Sequence, residues 1–143
     1  MILPDANILL YAVNRASDQH AAALRALERA FDHPRGVAFA WIALLAFLRV
    51  STRRGIFATP LSVEDALHVL DGWLGHPRAQ VAHPGDRHAE ILGRLLKSVG
   101  AAGNLTSDAH LAALAIEYGG TVLSFDRDFA RFEGVRWTLP KED

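Results

Sequence analysis

Residues 122–132 read VLSFDRDFARF, a short run of β-forming residues that is followed at once by two carboxylates, Asp126 and Asp128. Acidic residues are poor strand formers, so the strand should end just before Asp126. Open α/β sheets bind ligands at the carboxyl ends of their strands. The stretch therefore predicts a strand that delivers acidic side chains to a functional edge of a sheet.

The rest of the chain follows a similar order of strands and helices. Segments with strand-like composition are MILP, GVAFA, AQVA, TVLSF and VRWTL, and helical patterns separate the first four. Strands that alternate with helices are typical of a parallel sheet. No repeat, linker or low-complexity segment interrupts the order. We predict one α/β domain over residues 1–143, a three-layer sandwich in which helices flank a central parallel sheet.

Capping residues predict several helix boundaries. Asp18 is a candidate N-cap for a helix over residues 18–32, and Ser62 is one for a helix over residues 62–75. The helix that opens with WIALLAF is predicted to end at Gly55. The first two of these helices have apolar faces wider than one small sheet needs. We expect another protein surface to cover them.

Composition excludes several classes of protein. Half of the 143 residues are hydrophobic and 22% are charged, which is typical of a globular chain. Cysteine is absent, so neither a disulfide framework nor a thiolate metal site can form. The N-terminal segment has no basic region and contains Asp5, which is unlike a secretion signal. The longest uncharged run, residues 37–48, is too short to cross a bilayer, so we expect a soluble cytoplasmic protein that does not enter a membrane.

Three acids are placed where a functional edge is expected. Asp5 follows the first strand and Asp126 follows a later one, so both should face the same edge of the sheet. Asp108 lies in the first turn of a helix whose apolar stripe continues at Leu111 and Ala112. The side chain of Asp108 is therefore predicted to point inward and not to the solvated face of its helix.

Each acid alone has a structural explanation. Asp5 could be a helix cap, and Asp108 could complement a helix dipole. Asp126 and Asp128 could form an ordinary turn pair. Together, however, the carboxylates repel one another unless a positive group neutralises them. Mg²⁺ or Mn²⁺ would do so through oxygen ligands, which makes a metal site the leading hypothesis.

Four motifs, in this order, resemble the PIN-domain ribonucleases: PDANILLYA, LLAFLRVST, TSDAHLAALAIEYG and TVLSFDRDFARF. The resemblance covers essentially the whole chain and is strongest to the VapC-like toxins of bacterial toxin–antitoxin pairs. It implies a PIN-like sandwich and a Mg²⁺-dependent endoribonuclease in which Mn²⁺ can substitute. It also implies RNA as substrate, and a homodimer that a cognate antitoxin holds inactive.

The resemblance also assigns roles by position. Asp5, Asp108 and Asp126 match the family's catalytic, metal-binding acids. Asp128 matches an accessory metal-binding acid, and Ser124 matches a hydroxyl that supports the acids. Cleavage at such a site is hydrolysis by water, which leaves a 3′-hydroxyl and a 5′-phosphate.

One position departs from the family pattern. PIN nucleases commonly have Glu three residues before the Arg of the second motif, and here the residue at that position, before Arg49, is Ala46. The gap favours one well-bound Mg²⁺ over two. It also leaves open an alternative, a catalytically weakened PIN module that binds RNA or antitoxin without efficient cleavage. Arg49 could support the acids, bind an RNA phosphate or form a surface ion pair.

RNA-binding residues are not identified by any motif. The chain has 15 basic and 16 acidic residues, so RNA binding requires a local basic patch and not an overall charge. Candidates for such a patch are Arg53, Arg54, Arg127 and Arg131.

Histidines and tryptophans are given structural roles. The seven histidines have no metal-ligand spacing and are interpreted as surface or capping residues, with His110 turned away from the face of Asp108. Trp41, Trp73 and Trp137 lie in apolar patterns and are assigned to the core. A receiver-like signalling domain would also gather acids around Mg²⁺, but it needs a lysine on a late strand, and neither lysine of this chain lies on one.

Overall fold

The structure is a computed structural model that describes residues 1–55 and 57–141. Its strands are β1 (Ile2–Pro4), β2 (Val37–Ala40), β3 (Ala79–Ala82), β4 (Thr121–Leu123) and β5 (Trp137–Thr138). They form one parallel sheet in the order β3-β2-β1-β4-β5. Each of the five predicted segments contributes a strand, and the predicted α/β sandwich is confirmed.

Helices cover both faces of the sheet. They are α1 (Ala6–Val13), α2 (His20–Phe31), α3 (Trp41–Ser51), α4 (Val63–Leu74), α5 (His88–Val99) and α6 (Thr106–Tyr118). Short 3₁₀ turns occupy Gly103–Leu105 and Arg127–Arg131. Within the described part of the chain, no helix combines the length and the hydrophobicity needed to cross a membrane.

The sheet separates two apolar cores. Val37 and Phe39 of β2 face the core formed with α1 to α4, whereas Ala38 and Ala40 face the core formed with α5 and α6. All four side chains are fully buried. Successive residues of a strand point to opposite faces, so a strand covered on both sides must be apolar throughout. This explains why VAFA has no polar residue.

The pairing of β1 with β4 determines where the acids begin. The Cα partners are Ile2 with Thr121, Leu3 with Val122, and Pro4 with Leu123. One residue further, the Asp5 N–H donates a hydrogen bond to the Leu123 oxygen at 2.9 Å. Asp5 and Ser124 therefore leave neighbouring strands at the same edge of the sheet. This is the edge that the sequence predicted.

The predicted end of α3 was wrong. The helix ends at Ser51 and not at Gly55. The chain that returns toward α4 binds the last carbonyl group, because the Leu61 N–H donates to the Ser51 oxygen at 2.8 Å. In addition, the Thr52 hydroxyl donates to the Leu48 oxygen at 2.7 Å. Both contacts use carbonyl groups at the helix end, and the first of them comes from a distant segment.

One of the two predicted N-caps is confirmed. The Ser62 hydroxyl accepts a hydrogen bond at 3.1 Å from the N–H three residues further on and caps α4. Asp18 does not cap α2, which begins at His20 without a side-chain cap. Instead, the Ser17 hydroxyl accepts a hydrogen bond from the Gln19 N–H at 3.1 Å. The serine thus forms a local turn before the helix, and the capping role predicted for the aspartate was wrong.

Candidate metal centre

Four acids from three separate parts of the chain lie at this edge. Asp5 follows β1, Asp108 is the third residue of α6, and Asp126 and Asp128 follow β4. One carboxylate oxygen from each of Asp108, Asp126 and Asp128 lies within 4.8 Å of the other two. Asp5 lies outside this group of three, but its charge interacts with Asp108 and Asp126. Three carboxylate oxygens at this spacing fit a hard divalent cation.

The electrostatics of Asp108 favour the same interpretation. The pKa of Asp108 is raised to about 7, mainly by burial and next by the negative charges of Asp5 and Asp126. A hydrogen bond to Asp126 and the charge of Asp128 act in the same direction. At neutral pH Asp108 is therefore only partly ionised, because burial and the neighbouring carboxylates disfavour its charged form. A bound cation would favour the charged form.

Asp5 is both a helix cap and a member of the acid edge. Its Oδ1 accepts a hydrogen bond from the Ala6 N–H at 2.7 Å and caps α1. Its Oδ2 accepts one from the Ser124 hydroxyl at 2.7 Å. Burial raises the pKa of Asp5, these two hydrogen bonds oppose the rise, and the charge of Asp126 adds to it. The two explanations considered for Asp5 therefore do not exclude each other.

Ser124 connects Asp5 and Asp126 through hydrogen bonds of its hydroxyl. The side chain is fully buried. Its hydroxyl donates to Asp5 Oδ2 and accepts hydrogen bonds at 3.0 Å from the Asn7 amide and from the Asp126 N–H. A hydroxyl has one donor and two acceptor sites, and all of them are used here. Ser124 thus links the exit of β1 to the exit of β4.

Asn7 is a further residue of the site that was not among the predicted ones. Its amide donates to the Ser124 hydroxyl at 3.0 Å and, more weakly, to Asp5 Oδ2 at 3.4 Å. Its Oδ1 accepts a hydrogen bond from the Phe125 N–H at 3.2 Å. The signal was available, because an amide side chain two residues after a strand-end acid can turn back toward that acid.

An open groove of ≈ 450 Å³ runs beside the acids. Here we call it the acid groove; Asp5 and Asp108 line it, together with Ile42, Leu45, Ala46 and Arg49 of α3 and Leu111 of α6. Ala46, the position where the family pattern has Glu, therefore lies in the same groove as the acids. Arg49 is exposed and forms no hydrogen bond or ion pair with another described residue. The ion pair that was one option for Arg49 is absent from the described chain.

His88 and His110 belong to a partly buried hydrogen-bond network, so the surface or capping role predicted for them was wrong. His88 Nδ1 contacts Glu117 Oε1, and His88 Nε2 lies 2.9 Å from His110 Nδ1. The second carboxylate oxygen of Glu117 accepts a hydrogen bond from the Gly85 N–H at 2.7 Å. The network joins α5, α6 and the loop after β3. Burial and the proximity of His88 lower the pKa of His110.

The tryptophans are only partly in the core. Trp73 packs against Phe39 and Phe47 with ring centroids 6.2 and 4.8 Å away. The indole N–H of Trp137 donates to the Ser124 oxygen at 3.1 Å. Trp41 is 43% exposed, which contradicts its assignment to the core. It is the first residue of α3, beyond the last strand residue that both cores enclose.

Comparison with known proteins gives a consistent result. The PIN domain family model matches residues 2–135. Ribonuclease VapC37 from Mycobacterium tuberculosis is 49% identical over 140 residues, which cover 98% of this chain and 97% of that protein. Ribonuclease VapC33 from the same species is 39% identical and covers 98% of both chains.

Solved structures agree on the fold. The crystal structure of Mycobacterium tuberculosis VapC20, a sarcin-ricin loop cleaving toxin, has a TM-score of 0.69 at 19% identity and covers 95% of this chain and 99% of its own. The VapBC2 complex from Rickettsia felis, bound to a promoter DNA fragment, has a TM-score of 0.65 at 22% identity over 97% and 98% of the two chains. Since the family match spans most of the sequence and these relatives align along nearly all of it, the chain belongs to the PIN domain family.

Proposed function

We propose that this protein is a Mg²⁺-dependent endoribonuclease that acts as the toxin of a toxin–antitoxin pair. One observation carries the proposal: carboxylates of Asp108, Asp126 and Asp128 converge within 4.8 Å at the functional edge of the sheet. The names of the similar mycobacterial proteins, which are ribonucleases, support the choice of RNA as substrate.

Each residue of the centre has a distinct task in this proposal. Asp108, Asp126 and Asp128 would hold the ion. A bound Mg²⁺ supplies an acidified water and neutralises charge on the scissile phosphate. Ser124 fixes one oxygen of Asp5 and the Ala6 N–H fixes the other, so Asp5 presents its charge to the centre in a single orientation. No residue here needs to activate the ribose 2′-hydroxyl, so the products carry a 3′-hydroxyl and a 5′-phosphate.

Incubation of purified protein with single-stranded RNA tests the proposal. We expect cleavage with Mg²⁺ or Mn²⁺, none with excess chelator, and 5′-phosphates at the new ends. Mapping the 5′ ends of RNA from cells that express the chain alone would identify its targets. If the protein binds RNA or antitoxin but does not cleave even at excess metal, the catalytically weakened module replaces the nuclease.

Replacing Ala46 with Glu tests how many ions the centre holds. Because Ala46 lines the acid groove, Ala46→Glu should tighten Mn²⁺ binding and lower the Mg²⁺ concentration needed for half-maximal cleavage. It should also lower the melting temperature without metal, since the new charge adds to the repulsion. Calorimetric titration of Mn²⁺ and melting curves at each metal level measure both effects.

Ala46→Gln is the matched control, because it has the same size without the charge. The two variants could instead show equally lowered melting temperatures at every metal level and bind Mn²⁺ as the wild type does. The larger side chain would then destabilise the protein only by steric crowding in the groove. The position would then not be a vacated ligand site.

The proposal includes an antitoxin and a second copy of the chain as partners. Val63 and Leu67 on α4 are 60% and 43% exposed and lie four residues apart, on one side of the helix. On α2, only Leu24 is a large exposed apolar residue. Of the two helices expected to be covered, α4 is therefore the better candidate for a partner surface. Light scattering that shows only a monomer over micromolar concentrations would contradict the dimer.

A further inference from the structure

The face of α3 that lines the acid groove is mostly apolar. Ile42, Leu45, Ala46 and Arg49 all line the acid groove. Their spacing of three, four and seven residues places them on one side of the helix. Along that side, three apolar residues are followed by one cation. We call these four residues the α3 stripe.

Leu45 is the exposed apolar residue of the α3 stripe, whereas Ile42 and Ala46 are partly buried. Leu45 is 57% exposed although it lies in the same groove as Asp5 and Asp108. A leucine cannot bind a phosphate or a metal ion, and an exposed one gains nothing from the core. It can, however, contact the face of an unpaired nucleobase, which is the part of a single strand that proteins commonly bind by stacking and apolar contact.

Arg49 supplies the complementary charge. It is exposed and has no hydrogen-bond or ion-pair partner in the described chain, so its guanidinium is free for a phosphate. It lies one helical turn beyond Ala46. Arginine contacts to phosphate position a nucleic acid without reading its sequence, whereas contacts to bases depend on the base. The α3 stripe therefore offers both kinds of contact within one groove.

Ala46 is consistent with such a stripe. The side chain of Ala46 adds no charge between Leu45 and Arg49. The methyl group leaves the surface apolar and the groove open. At ≈ 450 Å³, the groove lies within the range of small-molecule sites, about 300 to 1,000 Å³. It can accept one base with its sugar.

We propose that the α3 stripe is a nucleotide subsite next to the scissile phosphate, in which Ile42 and Leu45 contact an unpaired base and Arg49 binds the neighbouring phosphate. The inference rests on the proposed nuclease function and adds to it the residues of the acid groove that contact the substrate. A base held in a duplex could not reach Leu45, because its faces are stacked on its neighbours.

The test separates base contacts from phosphate contacts. A fluorescently labelled RNA hexamer and the corresponding abasic ribose-phosphate hexamer are titrated with protein in Ca²⁺, and binding is followed by anisotropy. For the wild type we expect the hexamer with bases to bind about tenfold more tightly than the abasic one. Leu45→Ser should bring the affinities for the two hexamers close to each other. Arg49→Gln should weaken both ligands by the same factor and reduce the salt dependence by about one phosphate contact.

Leu24→Ser is the matched control, since Leu24 is an exposed leucine on α2 outside the acid groove. It should leave the ratio unchanged. A ratio in Leu45→Ser equal to that of the wild type would overturn the subsite. A lower molar mass of Leu45→Ser in light scattering, with an unchanged ratio, would also overturn it and assign the stripe to an interface between copies.

Cleavage of the same hexamer in Mg²⁺ distinguishes the subsite from the nuclease. If the wild type cleaves the hexamer but Leu45→Ser leaves the affinity ratio unchanged, the subsite is refuted and the nuclease function stands. If Leu45→Ser lowers the affinity ratio but the wild type does not cleave, the subsite stands and the nuclease function is refuted. Equal and weak binding of both hexamers to the wild type would refute the subsite directly.

Discussion

Asp108→Asn should reduce RNA cleavage at saturating Mg²⁺ by about 100-fold or more while the protein remains folded. The substitution removes one of the three carboxylates that converge on the candidate metal position and leaves the size of the side chain unchanged. Initial rates on a short RNA measure the loss. Asp86→Asn is the control, because Asp86 is an exposed acid in the loop after β3. This variant should cleave RNA as the wild type does. Wild-type cleavage by Asp108→Asn would show that the acid does not serve the reaction.

The same variant should be more stable than the wild type without metal, but only above acidic pH. The folded protein holds the Asp108 proton up to a pKa of about 7, whereas the ordinary value is 3.8. The folded state therefore binds more protons between these values, and its stability falls as pH rises from about 4 through 7. Since Asp108 is only partly buried, solvent screening limits the loss to about 1–2 kcal/mol.

Melting curves of metal-free protein at several pH values test this linkage. Asn cannot ionise, so Asp108→Asn should match the wild type near pH 4 and melt at a higher temperature at pH 8. Mg²⁺ should raise the melting temperature of the wild type at pH 8 and have little effect on the variant. Parallel curves for the two proteins from pH 4 to 8 would contradict the assigned electrostatics.

Ser124→Ala should lower both stability and activity. The Ser124 hydroxyl is fully buried and forms three hydrogen bonds, to Asp5, Asn7 and the Asp126 N–H. Its loss leaves buried polar groups without a partner, which costs about 1–3 kcal/mol. Misorientation of Asp5 and Asp126 should reduce cleavage by about 10- to 100-fold. Denaturant unfolding and initial rates measure the two effects.

Ser51 provides a matched control for that substitution. It is the other fully buried serine, and its hydroxyl has no hydrogen-bond partner among the described residues. Ser51→Ala removes a hydroxyl that was already unsatisfied, so it should be neutral or slightly stabilising. Equal losses in Ser51→Ala and Ser124→Ala would mean that only packing, and not hydrogen bonding, makes Ser124 important.

The parallel sheet and its acidic edge could be predicted because both depend on local patterns. An apolar segment such as VAFA indicates a strand that is buried on both faces, and acids directly after strands fall at one edge. The end of α3 could not be predicted in this way. It depends on the hydrogen bond from Leu61 to Ser51, between segments ten residues apart that no helix pattern connects.

The interior of the candidate site was only partly predictable. The four acids could be named from their positions, but the hydrogen bonds that orient them could not. Asn7 reaches Ser124 and Phe125 across 117 and 118 residues of sequence. The pair of His88 and Glu117 is likewise formed between two helices. Glu117 lies within one of the four motifs, but that motif does not indicate a histidine partner on another helix. Such contacts follow from tertiary packing, which periodicity does not encode.

The network around Glu117 limits which substitutions homologues of this chain can accept. A Cβ atom at Gly85 would lie 2.6 Å from Glu117 Oε2, and that carboxylate cannot move away easily because His88 holds its other oxygen. Positions 85, 88, 110 and 117 should therefore covary among homologues. Where residue 117 is shorter or apolar, position 85 can carry a side chain. His88 and His110 then have no carboxylate to bind, so we expect both to be replaced more often.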